Sequence, residues 1–338
     1  MLKTITAHSR LLLRSSSVPR SRLLPHAMDF PKPVSDASLP PMSTSAATRL
    51  SAIEFAKRAA AQLAVKEHFD AEARYIGIGS GSTIVYVVEA IKELKDPRIQ
   101  DILFVPTGYQ SRQVILKAGL KDMKFDSLPA DTLLEVAFDG ADEIDEDLNC
   151  VKGGGACLYQ EKLVATQASK FICVADHRKL QPRLLTTWPT IPIEVEPLAV
   201  TTVISALKNL GSSAPFLREG LIQKAGPIKT DQDNFIVDAP FPSLLLYTDI
   251  EQAAKQGVKG LKGQGEDGQW EVQALAKEIK AIEGVLSVGL FVGENGVQAK
   301  ARGKIAGGQK PIAAYFGMED GSVAVRMTQD DGTVVLRK

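Results

Sequence analysis

The sequence predicts an α/β protein in which a parallel sheet with helices on both faces is followed by a smaller α+β domain. Up to about residue 180, short apolar segments alternate with segments whose apolar residues recur at helical spacing. The short segments are apolar at almost every position, as strands buried on both faces are, which predicts a Rossmann-like domain. After Pro182 the order becomes strand, helix, strand, strand, helix, strand, which is typical of a small ferredoxin-like domain.

Length and charge exclude several classes of protein. The 338 residues are enough for two domains, and 40 Lys and Arg balance 40 Asp and Glu. The chain therefore has no overall basic charge for nucleic acid or anionic membranes, and no apolar run is long enough to cross a bilayer. The odd number and the spacing of Cys150, Cys157 and Cys173 argue against a disulfide framework or a zinc site. Cys157 is a minor candidate nucleophile.

Residues 1–45 are interpreted as a disordered leader or targeting segment. Residues 1–27 carry five Lys and Arg and no acid, as mitochondrial transit peptides do. The alternative is an extension of a cytosolic protein whose main start is Met28. The Pro- and Ser-rich segment 31–45 favours this alternative, because it is typical of a disordered lead-in, so the expected compartment is the cytoplasm.

The first predicted domain spans residues 46–186. It begins with a helix over 51–69, where alanines and apolar residues have helical spacing, and a strand at 74–78 then leads into a glycine turn that starts the next helix. Gly119 marks the end of the third helix. The elements that follow the first strand are a helix at 82–94, a strand at 101–106, a helix at 109–118, a strand at 133–138, a helix at 158–169 and a strand at 170–175.

The second predicted domain spans residues 187–292, and 293–338 are expected to return to the first domain. The predicted elements are strands at 190–195, near Phe216, near Phe235 and at 284–292, with helices at 200–210 and 271–282. The polar, glycine-rich segment 251–268 is interpreted as a surface loop. The tail supplies two strands, at 312–316 and 323–327.

The glycine turn Gly77-Ile-Gly-Ser-Gly-Ser-Thr83 lies between a predicted strand and a predicted helix. Its backbone N–H groups, the helix N-terminus and the hydroxyl groups could hold an anion. It is not a Walker motif, because no lysine precedes Ser82, and it lacks the glycine spacing of the dinucleotide fingerprint. A tight turn that needs glycine only for steric reasons is an equal alternative.

An acidic loop, Asp139-Gly-Ala-Asp-Glu143, follows a predicted strand directly. Ligands of open α/β sheets bind beyond the carboxyl ends of strands, so Asp139 and Asp142 are candidates for acid–base chemistry. The competing interpretation is a solvated acidic loop, since Glu143, Asp145, Glu146 and Asp147 continue the charge. A calcium loop is excluded because Cys150 replaces the required glycine.

A cation and a glycine run follow this loop in Lys152-Gly-Gly-Gly155. Glycines allow a substrate to approach main-chain N–H groups closely. Glu161 lies on the next predicted helix, whose start is set by the glycine run. Lys57 and Lys179 are lesser candidates, because a lone lysine is usually a surface residue, and His177 is a possible wall residue. The histidines are scattered, so a histidine metal site is not expected.

Together these segments closely resemble the A-type ribose-5-phosphate isomerase family, in order over about residues 50–327. The matching segments are 79–83, Pro106-Thr-Gly-Tyr-Gln-Ser111, 139–143, 152–155, Glu161-Lys162, 171–176, Thr230-Asp231 with Asn234, and Val285 to Phe291. Gly108 stands where the family usually has serine. Segments 240–270 and 299–310 are longer than in compact members, which resembles the fungal branch.

The resemblance implies interconversion of D-ribose 5-phosphate and D-ribulose 5-phosphate through a cis-enediolate, in the non-oxidative pentose phosphate pathway. It implies Glu161 as the base, Asp139 in ring opening, Lys152 with the glycine N–H groups at the enediolate, and Asp142 at hydroxyls or in proton transfer. Substrate contacts would come from Ser80, Gly81, Ser82, Thr83, Gly140, Ala141, Gly153, Gly154, Gly155, Lys179 and Lys57. We expect a phosphorylated pentose as the substrate and a homo-oligomer, dimer or tetramer, as the assembly. We expect no cofactor or metal and no nucleic acid or membrane partner.

Two other hypotheses stay open from the sequence. An acyl-CoA transferase or an aminosugar-phosphate deaminase could use a related fold, and a covalent thioester or a histidine beside the base would identify them. A non-catalytic sugar-phosphate sensor would be expected to lack the base or the lysine, whereas Glu161 and Lys152 are both present.

Overall fold

The protein is described by a computed structural model over residues 44–220, 224–258 and 260–338. Its helices are α1 Thr44–His68, α2 Ile84–Glu93, α3 Tyr109–Lys117, α4 Leu158–Thr166, α5 Val200–Asn209, α6 Tyr247–Lys255, α7 Val272–Lys280 and α8 Gly296–Ala301. Its strands are β1 Tyr75–Ile78, β2 Leu103–Pro106, β3 Lys121–Asp122, β4 Val136–Asp139, β5 Glu143–Ile144, β6 Cys150–Val151, β7 Phe171–Asp176, β8 Ile191–Val195, β9 Phe216–Leu217, β10 Phe235–Ala239, β11 Gln264–Glu266, β12 Gln269–Trp270, β13 Val285–Val288, β14 Leu290–Phe291, β15 Ala313–Gly317, β16 Val323–Thr328 and β17 Val334–Arg337.

The large sheet has eight strands in the order β17-β16-β15-β7-β4-β1-β2-β3. The strands from β15 to β3 pair in parallel, whereas β16 and β17 add antiparallel pairs at one edge. The predicted return of the tail to this sheet is confirmed, because β15 pairs with β7 along its whole length.

Successive residues of the parallel strands enter two different cores. In β1, Ile76 and Ile78 pack with residues of α1, α2 and α3, whereas Tyr75 packs on the face that carries α4. The sheet is therefore covered on both faces, which is why its strands are apolar at nearly every position, as the sequence predicted.

A four-stranded antiparallel sheet has the order β13-β8-β10-β9, and its chain order with α5 and α7 is strand, helix, strand, strand, helix, strand. Val203, Leu207, Leu275 and Ile279 bury the apolar faces of the two helices in its core. This order confirms the smaller α+β fold. The division of the chain into domains at residues 186 and 292 stays a prediction.

Two predicted elements differ from those in the structure. The strand predicted at 284–292 is two strands, β13 and β14, which belong to different sheets. The backbone leaves the small sheet at Gly289. The Gly289 N–H donates a hydrogen bond of 2.7 Å to the Pro192 carbonyl, and the Gly289 carbonyl accepts one of 2.8 Å from the Lys152 N–H. The surface loop predicted at 251–268 contains the second half of α6 and the strand β11. The start of α6 is capped by Asp249, which accepts a hydrogen bond of 2.8 Å from the Leu246 N–H, and β11 pairs with β12.

The first helix begins at Thr44, ahead of the predicted start at residue 51. The predicted leader lies outside the described residues over 1–43. None of the described helices is long and apolar enough to cross a membrane.

Candidate active site

Three neighbouring strands of the large sheet, β1, β4 and β7, end at the same edge. The glycine turn follows β1, the acidic loop starts at the last residue of β4, and Arg178 and Lys179 follow β7. Parallel strands place their carboxyl ends together, so the sequence segments that follow them meet in one cleft.

A cavity of about 400 Å³ lies at this edge. Its lining includes every residue to which the resemblance gives a catalytic or substrate-binding role: Lys57, Ser80, Gly81, Ser82, Thr83, Asp139, Gly140, Ala141, Asp142, Lys152, Gly153, Gly154, Gly155, Glu161 and Lys179. His177 is not among the lining residues, because its Nε2 lies 3.1 Å from Glu319 instead.

Asp139 is a buried carboxylate fixed on both oxygens. Its Oδ1 accepts hydrogen bonds from the N–H groups of Ser80, at 3.1 Å, and Gly140, at 2.7 Å. Its Oδ2 lies 2.9 Å from Nζ of Lys152. Gly79 is required beside it, because a Cβ at that position would overlap the Asp139 carboxylate. The glycine turn thus makes room for this carboxylate as well as forming one wall of the cavity.

Glu161 lies in the first turn of α4 and is 4% exposed. Its Oε1 accepts a hydrogen bond of 2.7 Å from the Ser80 hydroxyl. Its Oε2 lies 3.3 Å from Nζ of Lys152 but has no hydrogen bond to any described residue. One carboxylate oxygen is therefore held in place and the other is available to a proton.

Lys152 follows β6 and is 3% exposed. Its ammonium lies between Asp139 and Glu161 and donates a hydrogen bond of 2.6 Å to the carbonyl of Gly140. Burial lowers the pKa of Lys152, but the two carboxylates more than offset this and hold its pKa above the usual range. The lysine therefore stays charged at neutral pH, in a buried position where solvent screens its charge little.

The two aspartates of the loop have raised pKa values. Burial, together with the charge of Glu161, raises the pKa of Asp139 to about 7, although Lys152 acts in the opposite direction. Burial also raises the pKa of Asp142, against the hydrogen bond from the Gly154 N–H. A carboxyl that titrates near neutral pH can both give and take a proton under working conditions.

The glycine run is held from the side of the small sheet. Arg218, directly after β9, donates hydrogen bonds to the carbonyls of Gly153, at 3.0 Å, and Gly154, at 3.1 Å. Its other nitrogens pair with the carboxylate of Asp238 at 2.6 Å each. The arginine therefore fixes two consecutive peptide groups in the wall of the cavity.

The resemblance implies that N–H groups of the glycine run act with Lys152 at the enediolate, and the Gly154 N–H has a protein partner. Its N–H donates to Oδ2 of Asp142 at 2.8 Å. The approach is so close that a Cβ on Gly154 would lie 2.7 Å from Oδ1 of Asp142. This contact orients Asp142, and it occupies one of the donors that the sequence assigned to the enediolate.

The other end of the cavity is formed by Ser82, Thr83 and two lysines. The buried Lys57 reaches this end from α1. Its ammonium donates a hydrogen bond of 3.0 Å to the Ser82 hydroxyl and one of 2.9 Å to the Glu54 carboxylate. The half-buried Lys179 lies 4.9 Å from the ring centroid of Trp188. Ser80 lines the same cavity, but its hydroxyl donates to Glu161.

Sequence reasoning missed two residues. Gln110 lines the cavity and accepts a hydrogen bond of 2.7 Å from the Gly81 N–H. Its position just after β2, the neighbour of β1, was the available signal. Arg218 carried no signal, because nothing in its local sequence relates it to the glycine run. Cys157 lines the cavity, but burial raises its pKa to about 12, so the thiol stays protonated and is a poor nucleophile.

The solvated-loop interpretation is wrong for Glu143 and Asp145, which are both buried. Glu143 accepts hydrogen bonds from the N–H groups of residues 185–188, and Asp145 accepts two from Asn149. These carboxylates hold the loop in shape. Among the described residues, no three His, Cys, Asp or Glu side chains are grouped as metal ligands.

Comparisons with known proteins agree with this geometry. A family model described as ribose 5-phosphate isomerase A (phosphoriboisomerase A) matches residues 103–301. A ribose-5-phosphate isomerase of Mycosarcoma maydis is 41% identical over 83% of this chain and 84% of its own length. The Schizosaccharomyces pombe protein of the same name is 40% identical over 85% of this chain and 88% of its own length. Both are fungal, which agrees with the expected branch.

Solved structures give the same result. A D-ribose-5-phosphate isomerase in complex with phospho-erythronic acid matches with a TM-score of 0.63 at 30% identity, covering 81% of this chain and 99% of that chain. The ribose 5-phosphate isomerase of Plasmodium falciparum matches with a TM-score of 0.63 at 25% identity, covering 82% and 99%.

Proposed function

The chain belongs to the ribose 5-phosphate isomerase A family, and we propose that Glu161 is the base with which it interconverts D-ribose 5-phosphate and D-ribulose 5-phosphate. This isomerisation moves a proton between two adjacent carbons through an enediolate. The observation that carries the assignment is the Lys152 ammonium, which lies between the carboxylates of Asp139 and Glu161.

Glu161 suits a base that must serve both carbons. Its Oε1 is fixed by the Ser80 hydroxyl at 2.7 Å, so the carboxylate cannot rotate away from the substrate. Its Oε2 makes no hydrogen bond to a described residue and can take the proton from one carbon and return it to the next.

Lys152 supplies the charge that the enediolate needs. Negative charge grows on the substrate oxygens as the proton leaves, and a fixed ammonium in a buried site stabilises that charge more in the transition state than in the ground state. Its pKa is held high by Asp139 and Glu161, so it stays protonated throughout.

Asp139 and Asp142 complete the proton transfers. The pKa of Asp139, which burial raises to about 7, fits a group that moves the ring proton when the furanose opens. Asp142, oriented by Gly154, lies where it can accept hydrogen bonds from sugar hydroxyls.

The phosphate would bind at Ser82, Thr83, Lys57 and Lys179, at the N-terminus of α2. Hydroxyl donors, two ammonium groups and a helix N-terminus suit a dianion. The related structure that contains phospho-erythronic acid, a phosphorylated sugar acid, supports a cavity of this kind.

The experiment is a coupled assay of ribulose 5-phosphate formation from ribose 5-phosphate, with and without EDTA. Turnover that survives the chelator supports the assignment, because Lys152 provides the electrostatic stabilisation. A sensor would bind the sugar phosphate without turnover, and an acyl-CoA transferase would form a thioester with a glutamate. Activity that falls with EDTA and returns with a divalent ion would overturn the metal-free mechanism.

The assembly and the compartment are parts of the same proposal. A homo-oligomer, dimer or tetramer, would cover exposed apolar side chains such as Leu198, which is 94% exposed, and light scattering of the purified protein measures it directly. A cytosolic location is tested by fusing residues 1–45 to a fluorescent reporter. Mitochondrial import of the reporter would contradict it.

A further inference from the structure

A second cavity, of about 810 Å³, shares no lining residue with the candidate active site. It lies against α4, α7, β13, β14 and α8, and we call it the basic cavity. Its charged lining residues are Lys162, Lys277, Lys280, Glu294, Arg302 and Lys304. Five cations face one carboxylate here, although acidic and basic residues are equal in number over the whole chain.

Most of this charge has no acidic partner. Glu294 pairs with both Arg302 and Lys304. Within the described ranges, no carboxylate lies within 4.0 Å of the ammonium groups of Lys162, Lys277 or Lys280. Three ammonium groups from two helices therefore border one cavity without a counter-charge.

Lys162 is held by neutral groups alone. Its Nζ donates to the carbonyl of Leu290 at 2.7 Å and to Oε1 of Gln309 at 2.8 Å, and lies 4.3 Å from the ring centroid of Phe291. All these partners are neutral. Burial, and then the charges of Lys280 and Lys152, lower the pKa of Lys162 to about 7. An anion in the cavity would offset the cost of burying this charge.

A buried hydroxyl in the same lining points to a ligand independently. Ser287 is 2% exposed, and its Oγ has no hydrogen-bond partner among the described residues. A buried hydroxyl without a partner is unfavourable, because no hydrogen bond replaces those it would make with water. A ligand acceptor in the basic cavity would remove this cost, because Ser287 is one of the lining residues.

We propose that the basic cavity binds a small polyanion of the diphosphate class, with Lys162, Lys277 and Lys280 as its counter-charges and Ser287 as a donor. Its volume lies within the range of about 300–1,000 Å³ that is usual for small-molecule sites. Three ammonium groups without an acidic partner match a ligand with more than two negative charges better than they match a single phosphate.

The test is isothermal titration calorimetry with inorganic pyrophosphate as the probe. The full chain is first saturated with phospho-erythronic acid, so that the phosphate site of the candidate active site is occupied. The double variant Lys277→Gln/Lys280→Gln removes two cavity cations. The matched control, Lys117→Gln/Lys255→Gln, removes two exposed helical lysines outside the cavity and so changes the net charge equally.

One pyrophosphate per chain is expected to bind, with affinity at least about tenfold weaker in the cavity variant and unchanged in the control. Both variants should retain the isomerase activity of the wild type, because neither alters a candidate active-site residue. Absence of binding at millimolar pyrophosphate would overturn the proposal. Equal weakening in both variants would also overturn it, because it would show attraction to overall charge and not to this cavity.

Discussion

Ser80 donates a hydrogen bond of 2.7 Å to Oε1 of Glu161, which links the turn after β1 to the first turn of α4. The same turn gives Asp139 its backbone donor through the Ser80 N–H. One residue of the glycine turn thus orients both carboxylates that flank Lys152.

Glu161→Gln should fold normally and bind substrate while losing most of its turnover. The amide is nearly isosteric and can still accept the Ser80 hydrogen bond, but it cannot take a carbon-bound proton. The expected loss in kcat is about 10²–10⁴-fold, measured by the coupled assay. Glu278→Gln, at an exposed position of α7, is the control and should be unaffected. Wild-type turnover in a folded Glu161→Gln protein would remove this residue from the mechanism.

Thr83→Ala should raise KM for ribose 5-phosphate more than it lowers kcat. A phosphate contact is present in the ground state and the transition state alike, so its loss weakens binding uniformly. Because hydrogen bonds to charged groups contribute about 1.5–3 kcal/mol, roughly a tenfold or larger increase is expected. Thr201→Ala on α5 is the control. An unchanged KM would mean that the phosphate binds elsewhere.

Asp139 should make the folded protein less stable as the pH rises toward neutrality. Burial raises its pKa to about 7, above the value of about 3.9 in an unfolded chain. Between these values the folded state holds a proton that the unfolded state has released, so the free energy of unfolding falls as the pH increases.

Asp139→Asn should remove this part of the pH dependence, measured by urea denaturation at several pH values between about 4 and 8. Asp145, whose pKa burial also raises to about 7, contributes to both proteins and cancels in the comparison. The control Asp330→Asn, at an exposed site, should keep the wild-type slope. Parallel curves for wild type and Asp139→Asn would contradict the raised pKa.

Arg218→Met should lower kcat by up to about 10²-fold, because the carbonyls of Gly153 and Gly154 lose the donor that fixes them. It should also cost about 3–5 kcal/mol of stability, because Asp238 is left buried without its partner. Arg218→Lys should restore part of the stability but less of kcat. A single ammonium group can pair with Asp238, but it cannot also hold both glycine carbonyls as the planar guanidinium does.

The control for this variant is Arg98→Met, which removes an exposed arginine that also pairs with an aspartate. Kinetics are compared at a temperature at which circular dichroism shows all variants folded. If Arg218→Met lost stability but kept its kcat, the arginine would support the fold without positioning the glycine run.

The local sequence pattern was enough to predict much of the fold. The strands β1, β4 and β7 carry no charged residue before their last position, so their burial and their shared edge could be predicted without any tertiary information. The same argument placed Asp139 at this edge, and the glycine run that follows the acidic loop placed Lys152 and Glu161 near it. It could not show that Lys152 lies between the two carboxylates, because that depends on the pairing of β6 with β5 and β14.

The errors have a common physical cause. Arg218 reaches the glycine run through the pairing of β9 with β10, and Gly289 ends a strand because it bonds to Lys152 and Pro192. Ser80 could not be separated from Ser82 and Thr83 by composition. Contacts between residues far apart in the chain decide each of these cases, and they leave no periodicity in the local sequence.

The pairing of β15 with β7 has a consequence for synthesis on the ribosome. The strand β7 receives its second partner only after residues 313–317 have emerged, whereas the four-stranded sheet is complete once residue 288 has emerged. Domains generally fold as units during synthesis. The small sheet can therefore be completed before the large one. Until residues 313–317 emerge, one edge of the apolar strand β7 has no partner, so the nascent large sheet is the part that most needs chaperone protection.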